Sequence, residues 1–108
     1  MRPSGNLFSD LPQDQSAEQV TALLTAPNVT IERIVSTGQA SPPGFWYDQD
    51  RDEWVIVLAG SATLRFADEA EPRRLVAGDY VHIPAHTRHR VESTDAEHPT
   101  IWLAVHHR

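Results

Sequence analysis

Apolar and polar residues alternate along most of this chain with the period of two that marks strands. Val29, Ile31 and Arg33 oppose Thr30, Glu32 and Ile34, while Val55 and Val57 alternate with Trp54, Ile56 and Leu58 in a run apolar on both sides. Successive strand side chains point to opposite faces, so the first pattern predicts a strand with one buried face and the second a central or covered strand. The same reading places strands at Val29 to Ser36, Glu53 to Leu58, Ala62 to Phe66, Arg74 to Val76, Tyr80 to Ile83, His89 to Ser93 and Thr100 to His106. Between them fall residues suited to reversals: Ser41-Pro42-Pro43-Gly44, Ala59-Gly60-Ser61, Asp68 to Pro72, Gly78-Asp79 and Pro84-Ala85.

The N-terminal part reads differently. Met1 to Asp14 contains Pro3, Gly5 and Pro12 without any period, which predicts an extended or loosely attached arm. Ser16 with Gln19 has the form of a capping box, Val20, Leu23 and Leu24 share one helical face, and Pro27 ends the run. These features predict one short amphipathic helix. The expected organisation is therefore an arm and helix over residues 1–28, followed by an all-β sandwich or barrel over residues 29–108.

Composition narrows the picture. A chain of 108 residues has material for a single core. Its 40% hydrophobic and 22% charged content is that of a folded domain. The formal charge is -6, with nine basic residues scattered among fifteen acids, so no stripe exists to neutralise phosphates and no nucleic-acid partner is expected. With no cysteine there are no disulfides, thiolate zinc sites or cysteine nucleophiles. Met1 to Asp10 lacks a secretory pattern and no stretch reaches membrane-spanning length, so the expected location is the cytoplasm, without a membrane partner. All six histidines stand at or after His82, which points to a use for imidazole in the second half. No serine sits on the sharp glycine-flanked turn of a hydrolase nucleophile, and no phosphate-binding glycine loop precedes a helix.

Two stretches then carry a more specific signal. Gly78-Asp79-Tyr80-Val81-His82-Ile83-Pro84-Ala85-His86-Thr87-Arg88-His89 runs from a glycine through a proline to a histidine, and Glu53 is followed by an apolar strand closed by Gly60. Together they resemble the paired motifs of the cupin superfamily across about residues 29 to 106. The resemblance implies a cupin-type antiparallel β-barrel, a double-stranded β-helix or jelly roll, whose mouth holds one divalent metal. It carries Glu53 and His89 over as metal ligands.

Two departures leave the rest of that shell open. Where the family has two histidines ahead of the glutamate, the chain reads Phe45-Trp46-Tyr47-Asp48-Gln49-Asp50, giving either Tyr47 and Gln49 or Trp46 and Asp48. The usual glycine before the second-motif histidine is His86, which brings an imidazole toward the same mouth. The metal set expected is therefore Glu53, His89, Gln49 and His86, with Tyr47 a candidate catalytic group that orients a substrate. Such mixed nitrogen and oxygen donors suit iron, manganese, zinc or nickel alike.

The remaining candidates have plainer readings. His82 faces away from Val81 and Ile83 and reads as a wall residue, His98 as solvated, and His106 and His107 as opposite faces of a fraying last strand. Phe45, Trp46, Tyr47, Trp54 and Trp102 either line a pocket or fill the barrel. Arg88 and Arg90 face outward if His89 faces inward, within reach of the acidic run Asp48, Asp50 and Asp52. The functions implied are a metal-dependent enzyme on a small organic molecule or a non-catalytic metal- or ligand-binding module, with a homodimer as the expected assembly.

Overall fold

All seven strands expected from the alternation form, and an eighth precedes them. The computed structural model describes residues 2–108, with strands β1 Gln19–Ala26, β2 Val29–Ser36, β3 Asp52–Ala59, β4 Ser61–Phe66, β5 Arg73–Val76, β6 Tyr80–Ile83, β7 His89–Thr94 and β8 Thr100–His107. They build two sheets, one of five strands in the order β1-β2-β8-β3-β6 and one of three in the order β5-β4-β7. All recorded pairings between strands are antiparallel. The expected closed barrel is thus two facing sheets whose hydrogen bonding does not run unbroken around the ring.

The predicted N-terminal helix is absent among the described residues. Its sequence is instead β1, an edge strand paired with β2 from Gln19↔Val35 to Ala26↔Val29. The register shifts between Ala22 and Leu24, so Leu23 is the extra residue of a bulge. A bulge moves the alternation by one position. Val20, Leu23 and Leu24 consequently fall at helical intervals in a segment whose backbone is extended.

The core forms between the sheets. Val55 and Val57 of β3 and Trp102 and Ala104 of β8 meet Ala62, Leu64 and Phe66 of β4, with Leu75, Val81 and Ile83 completing the cluster. Trp102 is buried and its indole N–H donates to the Ser36 hydroxyl at 3.1 Å, so the one polar atom of a large apolar side chain is satisfied.

Gly60 is where β3 leaves one sheet and β4 enters the other. Its φ is +81°, and a Cβ there would lie 2.5 Å from Thr100 Oγ1 and 2.7 Å from Thr100 Cα. Gly78 also has a positive φ, +96°, but nothing stands within 4 Å of its missing Cβ. Crowding therefore requires glycine at the first turn, and backbone conformation alone favours it at the second.

The arm is not loose. The buried Arg33 guanidinium donates to the carbonyls of Ser9 at 2.6 Å, Asp10 at 3.3 Å and Leu7 at 3.4 Å, and to Gln19 Oε1 at 2.9 Å. A buried cation surrounded by four oxygens ties the arm to the outer side of β2.

Candidate functional site

A cavity of about 210 Å³ opens between the sheets at the end where β3 and β7 begin. Each strand contributes through its inward parity. Glu53 precedes Val55 and Val57 on the inner side of β3, paired across to Ile83 on β6 and His106 on β8. His89 is the first residue of β7 and is buried beside it.

Loop residues complete the lining. Tyr47 N–H donates to the His89 carbonyl at 2.7 Å and His89 N–H returns to the Tyr47 carbonyl at 3.1 Å, a bridge that pins the loop onto β7. The Tyr47 and His89 rings stack with centroids 5.3 Å apart. This register settles the alignment that the sequence left open: Tyr47 and Gln49 line the cavity. Trp46 instead lies under the Arg88 guanidinium at 5.5 Å, and Asp48 pairs with His86.

The tautomer of the neutral His89 ring follows from its neighbours. Nδ1 lies 2.8 Å from the Thr87 carbonyl, and since a carbonyl only accepts, Nδ1 carries the hydrogen. Nε2 then presents its lone pair to the cavity, 3.7 Å from Glu53 Oε1. That gap is too long for a hydrogen bond. Two buried electron-pair donors thus face one another across a space that a cation would fill.

Burial also shifts the acidic groups that line the cavity. Burial, the largest influence, holds the Glu53 carboxyl above the usual range, with Glu32 adding to it and the imidazoles of His106 and His89 opposing it. Burial followed by the negative charges of Glu18 and Glu53 pushes the Tyr47 phenol up, so it stays protonated at neutral pH and can donate a hydrogen bond.

Three lining residues escape a motif-based reading. His106 Nε2 lies 3.1 Å from Glu32 Oε1 inside the cavity, and Glu18 lines it while accepting the Ser36 hydroxyl at 2.7 Å. His106 shares its parity with Trp102 and Ala104, so carrying the alternation to the end of β8 would have marked it. Glu32 likewise alternates in step with Ile34.

His86 does not enter this cavity, contrary to expectation. Its φ is +61°, the conformation that makes glycine favourable at this position, and its side chain is exposed with Nδ1 2.8 Å from Asp48 Oδ1. Its backbone N–H donates to the Gln49 carbonyl at 2.7 Å. The positive φ turns the imidazole toward an adjoining depression, and His86 contributes by anchoring the Gln49 loop. The residue is thus brought near the site without being brought into it.

Other expectations sort by face. Of the aromatic group, Tyr47 and Trp102 line the cavity, whereas Trp54 stacks on Tyr80 at 5.6 Å outside the sheet and Phe45 packs edge-on against Tyr47. Arg90 does face outward but does not meet the acidic loop. It pairs with Glu92 at 3.1 Å and donates to the Ser41 and Pro42 carbonyls, which are nearer along the same edge. His98 lies 3.7 Å from Asp95 in an exposed turn.

Glu53 and His89 therefore provide one carboxylate and one imidazole donor, and the amide of Gln49 and the phenol of Tyr47 add oxygen at the same cavity. A nitrogen and oxygen set with so few protein ligands fits an open site for a divalent transition ion.

Comparison with known proteins supports the same architecture. Residues 33–106 match the model of the cupin domain family. The crystal structure of a "putative mannose-6-phosphate isomerase" from Ralstonia eutropha JMP134 is 51% identical, covers 98% of both chains and superposes with a TM-score of 0.96. A cupin superfamily protein from Desulfitobacterium hafniense DCB-2 shares the fold at 18% identity over 90% of this chain and 83% of that one, with a TM-score of 0.74. An RmlC-like cupin with a double-stranded β-helix fold from Methanocaldococcus jannaschii does so at 21% identity, 91% and 86% coverage and a TM-score of 0.69. No curated protein matches the chain. Strand order, the two motif stretches and the matched residues agree, and the protein belongs to the cupin family.

Proposed function

We propose that the protein binds one divalent metal ion in the mouth between its sheets and acts there on a small organic molecule. Glu53 and His89 hold the ion, and Gln49 offers a further oxygen. The observation that carries this reading is the fixed tautomer of His89, whose Nε2 lone pair faces Glu53 Oε1 at 3.7 Å. A histidine that donates its other ring N–H to a carbonyl is oriented as metal-ligating histidines are. A bound divalent ion supplies Lewis acidity toward a substrate oxygen.

The chain's own residues set the substrate class. The Tyr47 hydroxyl, held protonated, donates to a substrate acceptor and orients it against Val91 and Ile83 on the cavity wall. At about 210 Å³ the cavity takes a molecule well below drug size. Glu18, Glu32 and Glu53 make the lining acidic, and among the described residues no arginine or lysine lines it. The name of the Ralstonia relative suggests a phosphorylated sugar, but phosphate would meet no arginine or lysine here. The substrate proposed is therefore small, polar and unphosphorylated.

A second reading, a non-catalytic metal- or ligand-binding module, is favoured by one observation. The two positions where cupins usually carry histidine hold Tyr47 and Gln49, which leaves a thinner ligand set than enzymes of the family use. Elemental analysis of untagged protein, with Glu53→Gln and His89→Asn, tests the shared premise. The expected result is about one equivalent of metal lost in each variant, and folded variants that load as much metal as the native chain would refute it. Turnover by loaded protein then separates enzyme from module.

The homodimer expected from the sequence keeps its support in exposed apolar side chains on β1, namely Val20, Leu23 and Leu24. An eight-residue edge strand offers both these groups and unpaired backbone to a second copy. Light scattering is expected to give twice the chain mass, and a monomer at micromolar concentration would contradict it.

A further inference from the structure

The outward side of the five-stranded sheet carries a group of donors that the mouth does not use. Asp52 of β3 and His107 of β8 are register partners, and His82 of β6 stands across β3 opposite Trp54. His82 and His107 thus flank β3 from either side, their backbones about 11–12 Å apart given the spacing of strands and the rise of two residues. Although His82 is offset from His107 by two residues along β3, their rings lean together over that strand, with centroids 5.9 Å apart and planes 20° from parallel. One ligand atom from each of Asp52, His82 and His107 lies within 4.8 Å of the other two.

We infer that Asp52, His82 and His107 form a second divalent-metal site, of the zinc class, on the outer face of the sheet. Two imidazoles and one carboxylate are the three-ligand complement that zinc takes with a fourth position open to solvent. In a tetrahedral site with ligands near 2.0–2.1 Å, donor atoms stand about 3.4 Å apart, so the three groups need only close inward by side-chain rotation. His82 is exposed and Asp52 and His107 are half-buried, leaving access from water.

The hydrogen-bond pattern separates these imidazoles from the others. His86 bonds to Asp48, His89 to the Thr87 carbonyl and His106 to Glu32. Among the described residues, His82 and His107 bond to no protein group, and neither approaches Asp52 as an ion pair. Asp52 itself is already oriented, since its Oδ1 accepts the Ala85 N–H at 2.8 Å and its other oxygen is left over. Three donors are gathered, Asp52 is pre-positioned by Ala85, and no protein group engages the two imidazoles. An ion here would clamp β6, β3 and β8 at the rim, beside Glu53 and His106, which follow Asp52 and precede His107.

This site is independent of the mouth, and its test keeps the two apart. Zinc alone is titrated calorimetrically into untagged, metal-stripped protein and into His82→Ala, His107→Ala, Glu53→Gln and His89→Asn, with histidine ring resonances followed by NMR. The expected result is a zinc-binding event in which the rings of His82 and His107 shift together and whose affinity falls roughly tenfold or more in His82→Ala and His107→Ala. Glu53→Gln and His89→Asn leave that event in place, whatever they do to the mouth. Zinc binding that neither His82→Ala nor His107→Ala weakens, or no zinc binding at all, overturns the proposal. His82 is exposed, so His82→Ala should keep the native circular dichroism and the outcome does not depend on a buried substitution.

Discussion

The two faces of the five-stranded sheet are built from the same strands, yet they place their polar residues in opposite physical situations. Inside, Glu53 and His106 oppose one another on β3 and β8, both buried and surrounded by Val55, Trp102 and Ala104. Outside, one residue away on each strand, Asp52 and His107 form the next pair and reach water. A single step along a strand changes the side of the sheet, and with it the solvation of the charge. Burial raises the Glu53 pKa, so its charged form is favoured only with a cation beside it, while the outer group can remain hydrated until an ion arrives.

The same contrast extends to the apolar residues and gives the largest expected effect. Trp102 points inward and is buried with its N–H bonded, whereas its neighbour Leu103 is half-buried on the outer side. Trp102→Ala is expected to cost about 3–5 kcal/mol in urea unfolding, and Leu103→Ala only about 1 kcal/mol. Similar losses at both positions would mean that the outer face is covered in solution, as a face-to-face dimer would cover it, and a concentration-dependent midpoint for Leu103→Ala would identify that cover.

Metal experiments sharpen the comparison at a smaller energy. A tenfold change in affinity corresponds to about 1.4 kcal/mol, less than the cost of opening the core. Substitutions at Glu53 and His82 should each silence one face and spare the other.

The smallest expected effect belongs to neither face. The exposed turn after β7 is closed by Asp95, whose carboxylate accepts the backbone N–H groups of Glu97 and His98 at 2.8 and 3.0 Å. These bonds hold its carboxyl below the usual value of 3.8. A depressed folded pKa contributes stability that is present above the unfolded value and lost as pH falls through the folded one. Asp95→Asn, which keeps an acceptor but loses the charge, should flatten part of the acid-side decline in thermal midpoint and leave neutral-pH metal binding alone. An unchanged acid limb would show that the turn does not feel the charge.

Much of the fold was legible because alternation is a local property. The shared face of Val55 and Val57, and that of Val81 and Ile83 opposite His82, follow from the alternation and are buried in the structure, and Gly60 and Gly78 read correctly as turns. The helix expected over Ser16 to Pro27 failed for a specific reason: the bulge at Leu23 imposes on a strand the spacing that a helix would show. Pairing with β2 then overrides weak local helix signals. Arg33 shows the converse, a charge in an apolar strand whose partners, the carbonyls of Leu7, Ser9 and Asp10, lie more than twenty residues away.

By itself, the sequence determined the class of fold and the positions of nearly all strands and turns, and its resemblance to the cupins singled out Glu53 and His89. These depend on side-chain period and on spacing between motifs, which are written along the chain. Only the tertiary structure decided that Tyr47 and Gln49, not Trp46 and Asp48, enter the cavity, because that choice rests on the backbone bridge to His89. It also decided that His86 turns out to Asp48, that His106 and Glu32 join the interior, and that His82 and His107 meet above Asp52. Each of those outcomes depends on which strands become neighbours and in what register, and register is settled by the packing of the whole sheet.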